Sequence, residues 1–380
     1  MLEHITVLNL ASVGPAARAA QTLADFGAEV IRIGPLADAA GKQIEPVFYA
    51  YGAGRGTRAL RLDLKSAEGR AVLLRLAARA DVLIESFRPG VAARLGIGYE
   101  QLQAVNPALV YCSTSGYGQT GPYAHWAGHD INYLAVGGLL DCSGRDADGC
   151  PALPGATVGD SAGGGMHACL SILAALLKRQ HGGAGAYLDV AVVDGVLAMM
   201  SLPVDQYLAT GAAASAGTDL LTGRYAWYGV YATRDARFIS VGAIESKFYR
   251  NLCRLLALDE FADDQYRDDR QPALRAALRQ RFRERERDHW VALLADRDTC
   301  VAPVLSVAEI AADAHLRARA SFTEVTHARH GEFTQLAALM AGAQRRPRIA
   351  LDDDTGADVL ARFGYGADEI AALRAGHIVE

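Results

Sequence analysis

An α/β fold with a mostly parallel sheet is what this sequence predicts, on three observations. Short apolar runs alternate with amphipathic helical patterns through the first third of the chain. The first helical pattern carries its own punctuation, with Pro15 near its start and Gly27 at its end. The composition, 51% hydrophobic and 21% charged over 380 residues, is that of a globular protein of two domains, or of one large domain with an insertion.

Taken in order, Ile5–Leu8 reads as a strand, Ser12–Phe26 as a helix and Glu29–Ile33 as the next strand. A helix over Ser66–Arg79 leads to the strand Val82–Ile84, and a helix over Tyr99–Val105 to the strand Leu109–Cys112. A long apolar helix pattern runs through Leu170 and Leu177 to Lys178, followed by the strand Tyr187–Ala191 and a helix beginning at Asp194. The pattern changes at the alanine-rich stretch Gly211–Gly217. Residues from about Tyr225 to Pro303 read as a compact α+β unit, with strands Tyr228–Thr233 and Phe238–Val241 and a charged helix Pro272–Arg287. The tail reads as polar helices, Asp353–Phe363 and Ala367–Ala375.

A net charge of −5 implies no basic surface for nucleic acid. No apolar run approaches the roughly 18 residues that would span a membrane, and no signal peptide is expected at Met1–His4. The six scattered cysteines form no C-x-x-C pair, so neither a zinc site nor a disulfide framework is expected; a cytoplasmic location with reduced thiols is. The first strand–turn–helix lacks G-x-G-x-x-G, which argues against a nicotinamide or flavin cofactor. No G-x-S-x-G elbow supports serine hydrolysis.

Three side chains are candidates for proton transfer. His129, in Gly128-His129-Asp130-Ile131-Asn132-Tyr133, titrates near neutrality when unperturbed, or is a helix-start histidine bonded to nearby backbone. Asp160 opens a helix ahead of Gly163-Gly164-Gly165. It is either a proton carrier or an N-cap, and three glycines in a helix imply close approach of another backbone or a ligand. Glu245 falls between a strand and a helix, as a cap, a surface charge or a carboxylate orienting a histidine. Arg55, Arg58, Arg61, Lys65 and Arg88 could grip phosphates.

These residues carry a family likeness. Leu62-Asp63-Leu64-Lys65-Ser66, Ala80-Asp81-Val82, Phe87-Arg88-Pro89-Gly90 and Gly116-Tyr117-Gly118-Gln119-Thr120-Gly121-Pro122 resemble the family III (CaiB/BaiF-type) CoA-transferases over nearly the whole chain. Gly159-Asp160 resembles the family's catalytic aspartate. Gly128–Tyr133 and Val241–Glu245 are similar to the α-methylacyl-CoA racemase branch. The resemblance implies a Rossmann-like large domain built from residues 1–200 and 325–380, a small domain over 220–315, and an interlocked homodimer. It implies CoA along Leu62, Asp63, Leu64, Lys65, Ala80, Asp81, Val82, Arg88, Gly128, Asp130, Ile131, Asn132 and Tyr133. His129 and Asp160 would flank the acyl α-carbon, with Glu245 of the other subunit bonded to His129. The substrate would be an acyl-CoA, needing no further cofactor, and neither nucleic acid nor membrane would be a partner. The activity implied is epimerisation of 2-methyl-branched acyl-CoA. The alternatives are CoA transfer through an Asp160 anhydride, or acyl-CoA binding without turnover. Three positions depart from the pattern: Ala156 stands where an asparagine is usual, Gly34 where an arginine is frequent, and Gly223-Arg224 where Gly-Gly is usual.

Overall fold

The computed structural model describes residues 1–11, 13–37, 54–327, 331–349 and 355–380. Its backbone divides into two units, Met1–Leu139 with Gly155–Ser201 and Ala314–Glu380, and Leu140–Pro154 with Leu202–Asp313.

The first unit is built on six parallel strands: β1 (Thr6–Asn9), β2 (Glu29–Gly34), β3 (Thr57–Arg61), β4 (Val82–Glu85), β5 (Val110–Ser115) and β6 (Ala186–Ala191). Their order across the sheet is β3-β2-β1-β4-β5-β6. Alternate side chains of each strand enter two apolar layers, because successive residues point to opposite faces. On one face Val7, Val30, Val82 and Ile84 pack against Ala16, Leu23, Ile172 and Leu176 of the helices Gly14–Asp25 and His167–Gln180. On the other, Leu8, Ile31 and Leu83 pack against Leu73 and Leu76 of the helix Ala67–Ala77 and against Val359, Leu360 and Ile370 of the C-terminal helices. The C-terminus then runs beside β3, where Arg61 and Glu380 exchange main-chain hydrogen bonds of 3.3 and 3.1 Å.

Most element readings agree with the sequence within two or three residues. Ser66 caps its helix by accepting from the Gly69 N–H at 2.9 Å. Three expectations are corrected. The charged helix ends at Arg283, and a new helix, Arg287–Leu294, starts after an extended Glu286. The buried Arg287 is held by a two-pronged ion pair with Glu309 at 2.7 and 3.1 Å. The tail helices are present as Gly356–Arg362 and Ala367–Ala375, and ahead of them Phe322–His327 pairs antiparallel with Gly331–Leu336. The start of the long helix, Gly159–Met166, is π-helical. Finally, Gly159–Gln180 is 22 residues of continuous helix, long and apolar enough by composition to cross a membrane. Its hydropathy comes mainly from Leu170, Ile172, Leu173, Leu176 and Leu177, and 44% of its most apolar stretch is buried.

The second unit carries an antiparallel sheet, Tyr228–Ala232, Phe238–Gly242 and Val301–Pro303, around Trp227, Tyr231, Tyr249, Phe282 and Trp290. Trp227 and Trp290 each place the indole N–H on a backbone carbonyl, Gln265 O at 2.6 Å and Phe282 O at 2.8 Å. Both rings are thereby buried without an unsatisfied donor.

Candidate active site

Parallel pairing puts the carboxyl ends of all six strands at one edge, and the strand order reverses between β1 and β4. Open α/β sheets bind ligands at that edge and at that reversal. β5 runs out of it into Gly116–Gly128, which leads to His129 at the start of the helix Asp130–Val136. His129 has extended backbone and an exposed side chain. Its main chain seats it: the N–H donates to Asn132 Oδ1 at 2.9 Å, and its carbonyl accepts from the Asn132 N–H at 2.8 Å.

Asp130 joins this helix start to Asp160. Its Oδ1 accepts the Asp160 N–H at 2.7 Å, satisfying one of the free donors of the π-helical turn. The Asp160 carboxylate is half-buried and does not cap the helix. Burial pushes its pKa above the usual carboxylate value, the charge of Asp130 adds to the rise, and Arg18 and His129 pull against it. The structure therefore brings His129 and Asp160 into one electrostatic neighbourhood, a half-buried carboxyl and an exposed imidazole.

The three glycines have a packing reason. A methyl on Gly164 would lie 2.4 Å from Pro15 Cβ, and one on Gly163 would lie 3.0 Å from Val192 O. The close approach expected from the sequence is that of two neighbouring helices. Glycine also shapes the loop before His129, where a Cβ on Gly116 would fall 2.1 Å from the Tyr133 ring. Tyr133 donates its hydroxyl to Gly128 O at 2.5 Å, and burial together with the charge of Asp160 pushes its pKa up to about 12.

Sequence reasoning missed three features here. Arg18, on the helix after β1, donates to Thr157 Oγ1 at 2.8 Å and its charge reaches Asp160. An aromatic cluster precedes His129 in the chain: Tyr123 and Trp126 stack at 4.0 Å, and Tyr117 meets both edge-on. Glu85, buried at the end of β4, accepts from the Phe87 N–H at 2.7 Å, and burial raises its pKa. Aromatic residues at 117, 123 and 126 were the available signal for the cluster; nothing local marks Arg18.

Of the expected CoA contacts, Leu62–Lys65 follows β3 and Arg88 follows β4, so both lie at the same edge as Gly128–Tyr133. Lys65 and Arg88 are exposed and form no ion pair among the described residues. Ala80, Asp81 and Val82 are not brought together with them. They stand at the amino end of β4, roughly 10 Å of strand away. Ala80 and Val82 are buried, and Asp81 accepts from Arg179 at 2.6 Å and from the Thr6 N–H at 2.8 Å. Arg55, Arg58 and Arg61 are occupied as well, paired with Asp25, Glu29 and Glu380.

In the second unit Glu245 precedes the helix Ser246–Leu255 with an exposed carboxylate that makes no capping bond, which removes the cap reading. Arg224, the departure from Gly-Gly, grips Asp268 with two hydrogen bonds of 3.0 and 2.7 Å.

The family model described as CoA-transferase family III matches residues 2–357. The chain belongs to CoA-transferase family III. Among curated members of the family, it is 36% identical to the human α-methylacyl-CoA racemase over 384 aligned positions, covering 100% of this chain and 97% of that protein. It is 32% identical to the acetyl-CoA:oxalate CoA-transferase of Acetobacter aceti, over 76% of this chain and 77% of that protein. A CaiB/BaiF family protein from Brucella suis has the same fold, with a TM-score of 0.79 at 28% identity over 94% of this chain and 98% of that one.

Proposed function

We propose that this family member is an α-methylacyl-CoA racemase, epimerising the α-carbon of a 2-methyl-branched acyl-CoA through an enolate. The observation that carries the reading is the pairing of His129 with an Asp160 whose acid form is favoured by burial and by Asp130. A thioester acidifies its α-proton, and two acid/base groups of opposite starting state remove it from one face and return it to the other. Exposed His129 takes the proton while protonated Asp160 supplies one; in the reverse direction the roles exchange. Full-length similarity to a racemase supports the choice.

CoA then lies along Leu62–Lys65, Arg88 and Gly128–Tyr133, with Lys65 and Arg88 facing its phosphates. The chain works as an interlocked homodimer in which Glu245 of the partner subunit accepts a hydrogen bond from His129 and fixes its tautomer. No resident cofactor is required, because the thioester itself supplies the acidity.

CoA transfer is the second reading, favoured by Ala156, which offers no amide beside Asp160, and by similarity to a transferase. There Asp160 attacks the thioester carbonyl, forming an acyl-aspartyl anhydride and releasing CoA thiolate. The thiolate attacks the aspartyl carbonyl and expels the donor acid as its carboxylate, leaving an aspartyl-CoA thioester from which an acceptor carboxylate takes the CoA through a second anhydride. Exchange from each enantiomer of the substrate separates the two. Racemisation predicts that His129→Ala slows α-proton loss from one enantiomer by about 10²–10⁴-fold and Asp160→Ala from the other. No exchange from either enantiomer in the wild type, with an Asp160 adduct trapped by hydroxylamine, supports transfer.

A further inference from the structure

We propose that Arg18 and the Thr157 hydroxyl form a carboxylate-binding subsite beside Asp160, so that the acyl group handled by this protein carries a second carboxylate. The proposal rests on the reading of Asp160 as a reactive group of an acyl-CoA site.

The placement is fixed by backbone packing. The helix Gly14–Asp25 lies against the π-helical turn so closely that a methyl on Gly165 would fall 2.9 Å from Arg18 Cβ and 3.2 Å from Asp160 O. Arg18 Cβ and the Asp160 main-chain carbonyl thus flank one point. From there the guanidinium extends to Thr157, where Nη2 donates to Oγ1 at 2.8 Å. Thr157 is exposed, as is the Arg18 side chain, and neighbouring Ala156 contributes no polar group.

The bonding of Arg18 is incomplete. Arg55, Arg179 and Arg362 in the same unit each hold a carboxylate, at 2.5, 2.6 and 2.8 Å. Arg18 forms no ion pair among the described residues; a neutral hydroxyl takes one of its five donors. A guanidinium with free donors in a fixed fork matches the two oxygens of a carboxylate. Its charge also offsets the repulsion a substrate carboxylate would meet from Asp130 and Asp160, and the lowering effect of Arg18 on Asp160 shows that its field reaches the spot. A purely hydrocarbon acyl chain laid over this exposed guanidinium would strip its water and leave its donors unpaired.

The test is calorimetry with three ligands: CoA, racemic 2-methylsuccinyl-CoA with the thioester on the methyl-bearing side, and its neutral isostere, racemic 2,4-dimethylpentanoyl-CoA. Racemic ligands keep their composition if the enzyme epimerises them. The wild type binds the carboxylated thioester on the order of tenfold or more tighter than the isostere, and less so at high salt. Arg18→Gln removes that preference and leaves CoA affinity unchanged, while Arg18→Lys keeps part of it. Equal binding of the two thioesters by the wild type overturns the subsite. So does an Arg18→Gln variant that weakens both by one factor, since Arg18 would then serve the site without reading the acyl group. Failure to bind CoA itself would instead sink the acyl-CoA reading on which the subsite stands.

Discussion

Asp160 is set by residues distant in sequence. Its N–H is held by Asp130, 30 positions earlier, and the charge of Arg18, which is bonded to Thr157 139 positions on from it, acts on its carboxyl. From sequence, a carboxylate at a helix start reads equally as a cap or an acid; in the structure the side chain caps nothing, and burial raises its pKa. Asp130→Asn keeps an Oδ1 acceptor for the Asp160 N–H and removes one negative charge. The Asp160-dependent limb of the pH–rate profile therefore moves to lower pH, and Arg18→Gln moves it to higher pH. The same shift acts on stability. A carboxyl with a folded pKa above its unfolded value stabilises while protonated, below the unfolded value, and loses that contribution as pH rises through the folded one. Asp160→Asn flattens that decline in denaturant unfolding followed across the window. An unchanged profile in Asp130→Asn would mean that Asp130 acts only as a hydrogen-bond acceptor.

The π-helical turn is the element that builds the site, and its form was only half legible. Three successive glycines announce close approach, but whether a ligand or a chain approaches is decided by Pro15, Arg18 and Val192, which belong to other elements. Wide π turns are frequent at functional positions because they displace a side chain from the ordinary helical track. Gly195 completes the packing: a methyl there would sit 1.9 Å from Gly163 O. Gly195→Ala is expected to destabilise the fold by about 3 kcal/mol and to reduce activity by shifting the turn that carries Asp160. Gly155→Ala, with open space around its Cβ, changes stability by less than about 0.5 kcal/mol. Equal midpoints for both variants in urea would show that the turn tolerates the displacement. The amino-end residues Ala80–Val82 carry the opposite lesson. A motif matched along the sequence does not say which end of a strand faces the ligand, whereas parallel pairing does.

For the whole molecule, the alternation of strand and helix made the parallel sheet readable, since a parallel neighbour needs a long crossover, usually a helix, to return the chain to the same edge. The order β3-β2-β1-β4-β5-β6 was not readable, because it depends on pairing between distant strands. That order is the one associated with dinucleotide folds, yet the turn after β1 lacks their glycines, so topology and ligand chemistry part company here. The long helix of the first unit leaves Leu170 and Leu177, two turns apart on one face, 68% and 59% exposed. The proposed homodimer covers such a face. Sedimentation should therefore give a dimer, and Leu170→Glu with Leu177→Glu should weaken it while the monomer stays folded by circular dichroism. A wild-type monomer active on its own would remove both the dimer and the shared role of Glu245. The central claim, proton transfer at the acyl α-carbon between His129 and Asp160, is tested most directly by one incubation. A single enantiomer of a 2-methyl-branched acyl-CoA, carrying the second carboxylate, is held with the enzyme in deuterated water without any acceptor acid. Mass spectrometry and chiral analysis should find one deuterium at the α-carbon together with inversion. Substrate recovered undeuterated and uninverted would contradict the claim.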